Sequence, residues 1–91
     1  MPENRKVKLS SRANKDFKKL DTEMKNRIKD SLKDLATDEK NMDIKKLKGI
    51  QGREDLYRLR VGNYRIIYLP TDNEILVIRI DHRRKVYGFL E

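Results

Sequence analysis

The sequence predicts an α+β fold: an N-terminal strand, a helical hairpin, then a mainly antiparallel, twisted sheet packed on the helices. Three observations carry that prediction. Two alternating runs, Leu56 to Val61 and Tyr64 to Leu69, flank Gly62-Asn63, a pair that suits a tight primed turn with φ > 0. A third apolar run, Ile75 to Ile80, follows the polar turn Pro70-Thr71-Asp72-Asn73. Upstream, apolar residues recur at helical spacing in two stretches.

Taken in order, residues 1–5 read as a polar lead-in, and Lys6-Val7-Lys8-Leu9 alternates as a short strand with Val7 and Leu9 inward. Ser10 or Ser11 suits a helix cap, after which Ala13, Phe17 and Leu20 share one helical face. Asp21 suits the cap of a second helix, roughly Thr22 to Ala36, whose apolar stripe is Met24, Ile28, Leu32 and Leu35. Residues 37–55 are polar, with Met42, Ile44 and Leu47 placed to pin this connection to the core. In the last run, Leu76, Ile78 and Ile80 occupy one face of a regular strand and Ile75, Val77 and Arg79 the other. Asp81-His82-Arg83-Arg84-Lys85 leaves that strand as a basic turn, and Val86-Tyr87 follows.

The turn at Gly62-Asn63 sets the hairpin register. Val61 then faces Tyr64, Arg60 faces Arg65, Leu59 faces Ile66, Arg58 faces Ile67 and Tyr57 faces Tyr68. One face carries Tyr57, Leu59, Val61, Tyr64, Ile66 and Tyr68, a core set. The other carries Arg58, Arg60 and Arg65 among Leu56, Ile67 and Leu69, and is expected to lie open. Arg60 opposite Arg65 is unfavourable by some tenths of a kcal/mol, since like charges on opposed positions repel. Either the two side chains splay into water, or the pair awaits a polyanion that relieves the repulsion.

Composition narrows the function. The chain has 91 residues and a net charge of +8, which suits an anionic partner such as nucleic acid, a membrane surface or an acidic protein. Residues 1–52 hold twelve Lys and three Arg, whereas residues 53–91 hold seven Arg and one Lys. Arginine's rigid fork matches phosphate oxygens and lysine is a solubilising point charge, so the second half reads as the working surface. With no cysteine, thiolate metal sites and disulfides are excluded, and a single histidine argues against a zinc site. No apolar run reaches the roughly 18 residues of a membrane span, and the N-terminus lacks the apolar core of a signal peptide. The expectation is a cytoplasmic protein with no cofactor and no membrane partner.

An arginine surface of this kind suits RNA cleavage by the substrate's own 2′-hydroxyl. That reaction needs a proton removed from the hydroxyl, charge stabilised on the phosphoryl oxygens, and a proton delivered to the leaving 5′-oxygen. Charge stabilisation by preorganised cations usually contributes most to such catalysis, and Arg58, Arg60, Arg65, Arg83 and Arg84 are the candidates. Tyr87, surrounded by cations, and His82, a side chain of the type that titrates near neutrality, are the residues left for proton transfer. His82 also has a purely structural reading.

The order Leu47-Lys48-Gly49, then Tyr57-Arg58-Leu59-Arg60-Val61-Gly62-Asn63-Tyr64-Arg65-Ile66-Ile67-Tyr68, then His82-Arg83-Arg84-Lys85-Val86-Tyr87, resembles the RelE/ParE superfamily of toxins. Val7-Lys8-Leu9, Ala13 and Phe17-Lys18-Lys19-Leu20 extend the resemblance over nearly the whole chain, as one RelE-like toxin domain over residues 1–91. The resemblance implies a type II toxin whose RelE-type members cut mRNA in the ribosomal A site and are neutralised by a cognate RelB-like antitoxin. By position it makes Arg65 the arginine at the scissile phosphate, Arg83 a second active-site arginine with Arg84 competing for the role, and Tyr87 the tyrosine near the C-terminus. Arg58 and Arg60 match basic residues of the preceding strand, and His82 and Lys85 join them in binding RNA. Two positions that are often Lys in the family are Arg here, which weakens any proton-transfer role for them. Arg79 matches no family role and reads as a surface residue. Two other classes compete with the nuclease: a ParE-like inhibitor of DNA gyrase, and a general nucleic-acid-binding domain without catalysis.

Overall fold

The computed structural model describes residues 5–37, 42–47 and 56–82. The strand β1 (Lys6–Leu9) leads into the helices α1 (Ser11–Lys18) and α2 (Thr22–Thr37). Then follow β2 (Ile44–Lys46), β3 (Tyr57–Val61), β4 (Tyr64–Pro70) and β5 (Glu74–His82). Among the described residues these strands form one sheet in the order β1-β5-β4-β3-β2, antiparallel throughout except that β1 runs parallel to β5.

Local chemistry starts both helices where the sequence places them. Ser10 Oγ accepts from the Ala13 backbone N–H at 3.0 Å, and Asp21 Oδ1 accepts from that of Met24 at 2.8 Å. Each cap satisfies a donor that the first helical turn leaves without a partner. The helices pack on the sheet, α1 against β5 and β1 and α2 against β1 and β3. Ala13, Ile28, Leu32 and Leu35 meet Leu59, Val61, Ile66 and Tyr68 in the main core. Tyr57 and Tyr68 stack across β3 and β4 with ring centroids 5.8 Å apart.

The hairpin register is the one that the Gly62-Asn63 turn dictates. Gly62 takes φ 59°, the left-handed region that side chains other than glycine's enter at a cost. The Arg27 guanidinium of α2 lies over this turn, 3.2 Å from where a Cβ on Gly62 would stand.

Three expectations are corrected. First, residues 44–46 form a strand, β2, with Ile44 opposite Leu59. The stretch is too short to show alternation, and pairing with β3 alone makes it extended. Second, β5 does not alternate regularly. Its ladder with β4 slips by one residue, so that Ile67 faces Arg79 while Tyr68 faces Val77. Ile75, Val77 and Ile80 are therefore the core residues, and Ile78 packs on the other side. A regular strand would have turned Arg79 into the core beside Ile66, and the bulge puts Ile80 there instead. Third, the face opposite the helices is not left open. Leu47, Leu56 and Ile67 are buried on it as a second apolar cluster, with Leu69 and Ile78 packed alongside.

Candidate nucleic-acid interface

The face of that second cluster also carries arginines, and the ladder arranges them in rows. One row crosses four strands. The Arg60 backbone N–H donates to the carbonyl of Asp43, one step before β2, at 3.0 Å. Arg60 stands opposite Arg65, and Arg65 opposite Asp81. The sequence across the sheet is thus acid, arginine, arginine, acid. In the adjoining row Arg58 stands opposite Ile67, and Ile67 opposite Arg79.

The two like charges at the centre repel, and each has an acid on its outer side. Asp43 Oδ1 accepts from Arg58 Nη2 at 2.9 Å, and its Oδ2 lies 3.8 Å from Arg60 Nη1. Relief of the Arg60–Arg65 repulsion therefore begins within the protein, and a polyanion is not its sole source. The arginines also differ in how they are held. Arg58 and Arg65 are 9% and 7% exposed, while Arg60 remains exposed to solvent. A buried guanidinium keeps its direction, which a solvated one does not.

Arg79 is not a surface residue. It is 7% exposed; its Nε donates to Asp16 Oδ2 at 2.9 Å and its Nη2 to Asp81 Oδ2 at 2.6 Å. Asp16, on α1, also accepts from the Ile80 backbone N–H at 3.0 Å. The reason is geometric. Strand β1 ends at Leu9, and β5 continues to His82 without it, leaving backbone groups exposed along the edge. Ser10 and Asp16 take those groups over, Ser10 through its N–H to the Val77 carbonyl and its hydroxyl to the Ile78 carbonyl.

The other expected residues fall elsewhere. His82 pairs in register with Tyr64, and the two rings meet edge-on at 5.8 Å. That places His82 beside a polar cleft of about 310 Å³ lined in part by Arg12, Asp16 and Lys19, across the sheet from Arg60 and Arg65. Arg83, Arg84, Lys85 and Tyr87 lie outside the described residues. Sequence reasoning missed the three acids Asp16, Asp43 and Asp81. Asp43 carried no signal, and Asp81 meets Arg65 only through the slipped register. Among the described residues no group of three or more His, Asp or Glu side chains is placed to hold a metal ion. No described helix is long and apolar enough to cross a membrane.

The family model described as the ParE toxin of the type II toxin–antitoxin system parDE matches residues 7–87. The chain belongs to the RelE/ParE superfamily of toxins. This toxin is 33% identical to Toxin RelE3 of Methanocaldococcus jannaschii over 76 residues, which cover 82% of its chain and 86% of the relative. It is 32% identical to Putative toxin RelE1 of the same organism, over 87% and 89% of the two chains. Its fold is similar to that of a RelB–RelE antitoxin–toxin complex from Methanococcus jannaschii, with a TM-score of 0.73 at 30% identity over 93% of this chain and 100% of that one. An archaeal RelE–RelB complex from Pyrococcus horikoshii OT3 also gives a TM-score of 0.73, at 26% identity over 89% and 97%. The α+β fold and the toxin family therefore stand as the sequence predicted them.

Proposed function

We propose that this toxin is an endoribonuclease that cuts mRNA in the ribosomal A site and so inhibits translation. The observation that carries the reading is the juxtaposition of Arg60 and Arg65, one exposed and one held rigid, on a sheet face that also bears Arg58. Fixed cations aimed at a phosphoryl group stabilise the charge that develops there, and they act most strongly where their direction is set in advance. The 2′-oxygen, losing its proton, attacks phosphorus. The bond from phosphorus to the 5′-oxygen breaks, and that oxygen takes up a proton. The products are a 2′,3′-cyclic phosphate and a 5′-hydroxyl, and the chemistry requires no cofactor. Arg65 is the residue assigned to the scissile phosphate, with Arg58 and Arg60 on the flanking backbone. Arg83, Arg84 and Tyr87 are the acid–base suspects, and Lys85, next to Arg84 in the sequence, contributes charge. His82 contributes from the far side of the sheet, at the rim.

The partner that restrains this activity is, in our reading, a RelB-like antitoxin. The two archaeal structures described above are complexes of that kind. An apolar groove of about 650 Å³ between β1 and the helices, lined by Val7, Leu9, Phe17 and Leu32, has Arg5, Lys29 and Lys33 against the single acid Asp30 at its margin. It suits an acidic amphipathic segment that orders as it binds. Phe17→Glu, at a partly exposed position of the groove, should abolish copurification of the product of a co-expressed neighbouring gene while the protein stays folded.

Cell-free translation with mapped mRNA ends tests the enzymatic reading, run beside Arg65→Ala and a ribosome-free control. Cuts that require both ribosomes and Arg65 support it. Intact mRNA with folded protein sinks it and favours a ParE-like reading, for which the description of the matching family model speaks. A DNA gyrase supercoiling assay then decides that alternative.

A further inference from the structure

Arg65 lies between two unlike neighbours. Arg60 stands across from it on β3 and Asp81 across from it on β5. Opposed residues bring their Cβ atoms to about 4.5–5.5 Å, so both neighbours act on the Arg65 side chain. The acid attracts the guanidinium and the arginine repels it, a bias toward β5 that acts through space, since the oxygens of Asp81 are engaged by Arg79 and the His82 N–H. How well that direction is defined depends on how firmly Asp81 is held.

Asp81 is held at both oxygens. Its Oδ2 accepts from Arg79 Nη2 at 2.6 Å, and its Oδ1 from the His82 backbone N–H at 2.7 Å. Arg79 is fixed in turn by Asp16, whose Oδ2 accepts from Arg79 Nε at 2.9 Å and from the Ile80 N–H at 3.0 Å. Asp16 sits on a helix whose first turn is fastened to β5 through Ser10. A continuous chain of directed contacts thus runs from α1 to the residue opposite Arg65.

We propose that Asp16, Arg79 and Asp81 form a positioning relay for Arg65. None of the three is a catalytic residue; each acts through the next. The inference rests on the reading of Arg65 as the cation at the scissile phosphate. Stability alone does not account for the arrangement, because buried ion pairs can often be replaced by apolar residues of similar size without loss. Apolar residues cannot do what the planar guanidinium of Arg79 does here, which is to fix two carboxylates in different directions at once. The relay also sets the end of β5, immediately before Arg83 and Arg84 in the sequence.

Two substitutions test it. Arg79→Lys keeps the charge and loses the two-pronged donation. Asp81→Asn keeps the shape at a partly exposed side chain and provides the test should Arg79→Lys not fold. The first readout needs no activity: the Nε–Hε resonance of Arg65 in ¹⁵N-labelled protein, assigned by its loss in Arg65→Lys. The second is mRNA cleavage in the translation reaction. We expect Arg79→Lys, which reaches Arg65 only through Asp81, to shift that resonance in the same direction as Asp81→Asn. Each variant should slow cleavage by roughly ten- to a hundredfold, the scale on which misplaced groups lose rate. The double variant Arg65→Lys with Asp81→Asn should be no slower than Arg65→Lys alone. An unmoved Arg65 resonance in a folded variant overturns the relay, as do cleavage losses that multiply in the double variant. Wild-type protein that leaves mRNA intact removes the nuclease reading instead, and the resonance then decides the relay by itself.

Discussion

Arg79 donates through Nε to Asp16 Oδ2 at 2.9 Å, and both side chains are more than nine-tenths buried. The pair joins the last described strand to the first helix across 63 positions of sequence. Removing Asp16 takes one of two carboxylates from the buried Arg79 guanidinium and the acceptor from the Ile80 N–H. Asp16→Ala should therefore destabilise the fold by about 3–5 kcal/mol. Combining Asp16→Leu with Arg79→Met should recover part of that loss, because the buried guanidinium goes with its carboxylate, although the partly exposed Asp81 loses Arg79 and the Ile80 N–H still lacks its acceptor. Urea titrations of the three proteins check both outcomes; equal stability of Asp16→Ala and the wild type would refute the account.

Core placement on β5 gives a second prediction. Ile80 is 1% exposed in the main core, whereas Ile78 is partly exposed in the smaller cluster. Ile80→Ala should cost about 2–5 kcal/mol and Ile78→Ala distinctly less. Regular alternation would rank the two alike, so denaturation midpoints distinguish the bulged strand from the regular one.

At the hairpin, Gly62→Ala should cost about 1–2 kcal/mol through the left-handed backbone alone. The added Cβ also displaces the Arg27 guanidinium lying over the turn. Thermal melting should show a midpoint lower by about 4–8 °C for each kcal/mol in a domain of this size. Gly62→Asn should lose less, since asparagine tolerates this conformation.

Charge balance in the arginine rows predicts a binding phenotype. Asp43 occupies Arg58 and faces Arg60, and its own side chain is 52% exposed. In Asp43→Asn an arginine is released to contact one more phosphate. Affinity for single-stranded RNA should rise, and the slope of its logarithm against that of salt concentration should steepen by about 0.7. A salt titration that gives parallel lines for the two proteins contradicts this.

For the proposed cleavage, Arg65→Ala should reduce the rate by roughly a hundred- to a thousandfold, the usual loss for one preorganised charge-stabilising group. Arg60→Ala should cost less, because Arg60 is solvent-exposed and its direction less defined. Rates of mRNA cleavage in purified translation reactions provide the comparison.

Much of this molecule was decided locally and could be read in the chain. Ser10 and Asp21 cap helices because a side-chain oxygen there reaches an N–H three residues on. The positions of Arg58, Arg60 and Arg65 followed from the two-residue turn at Gly62-Asn63, which leaves no freedom in how β3 meets β4. The order of basic and aromatic residues was enough to indicate the toxin family. What the chain could not show was the slip between Ile67 and Tyr68. Extending the Pro70–Ile75 pairing without it sets Ile80 opposite Arg65 and Asp81 opposite Tyr64, and turns Arg79 inward. Local propensity is nearly indifferent between the two registers. Packing is not, because only the slipped one buries Ile80, lets Arg79 reach Asp16, and sets an acid opposite Arg65. Those gains come from α1 and the sheet meeting in space, so the partners of the arginines were decided by the tertiary structure.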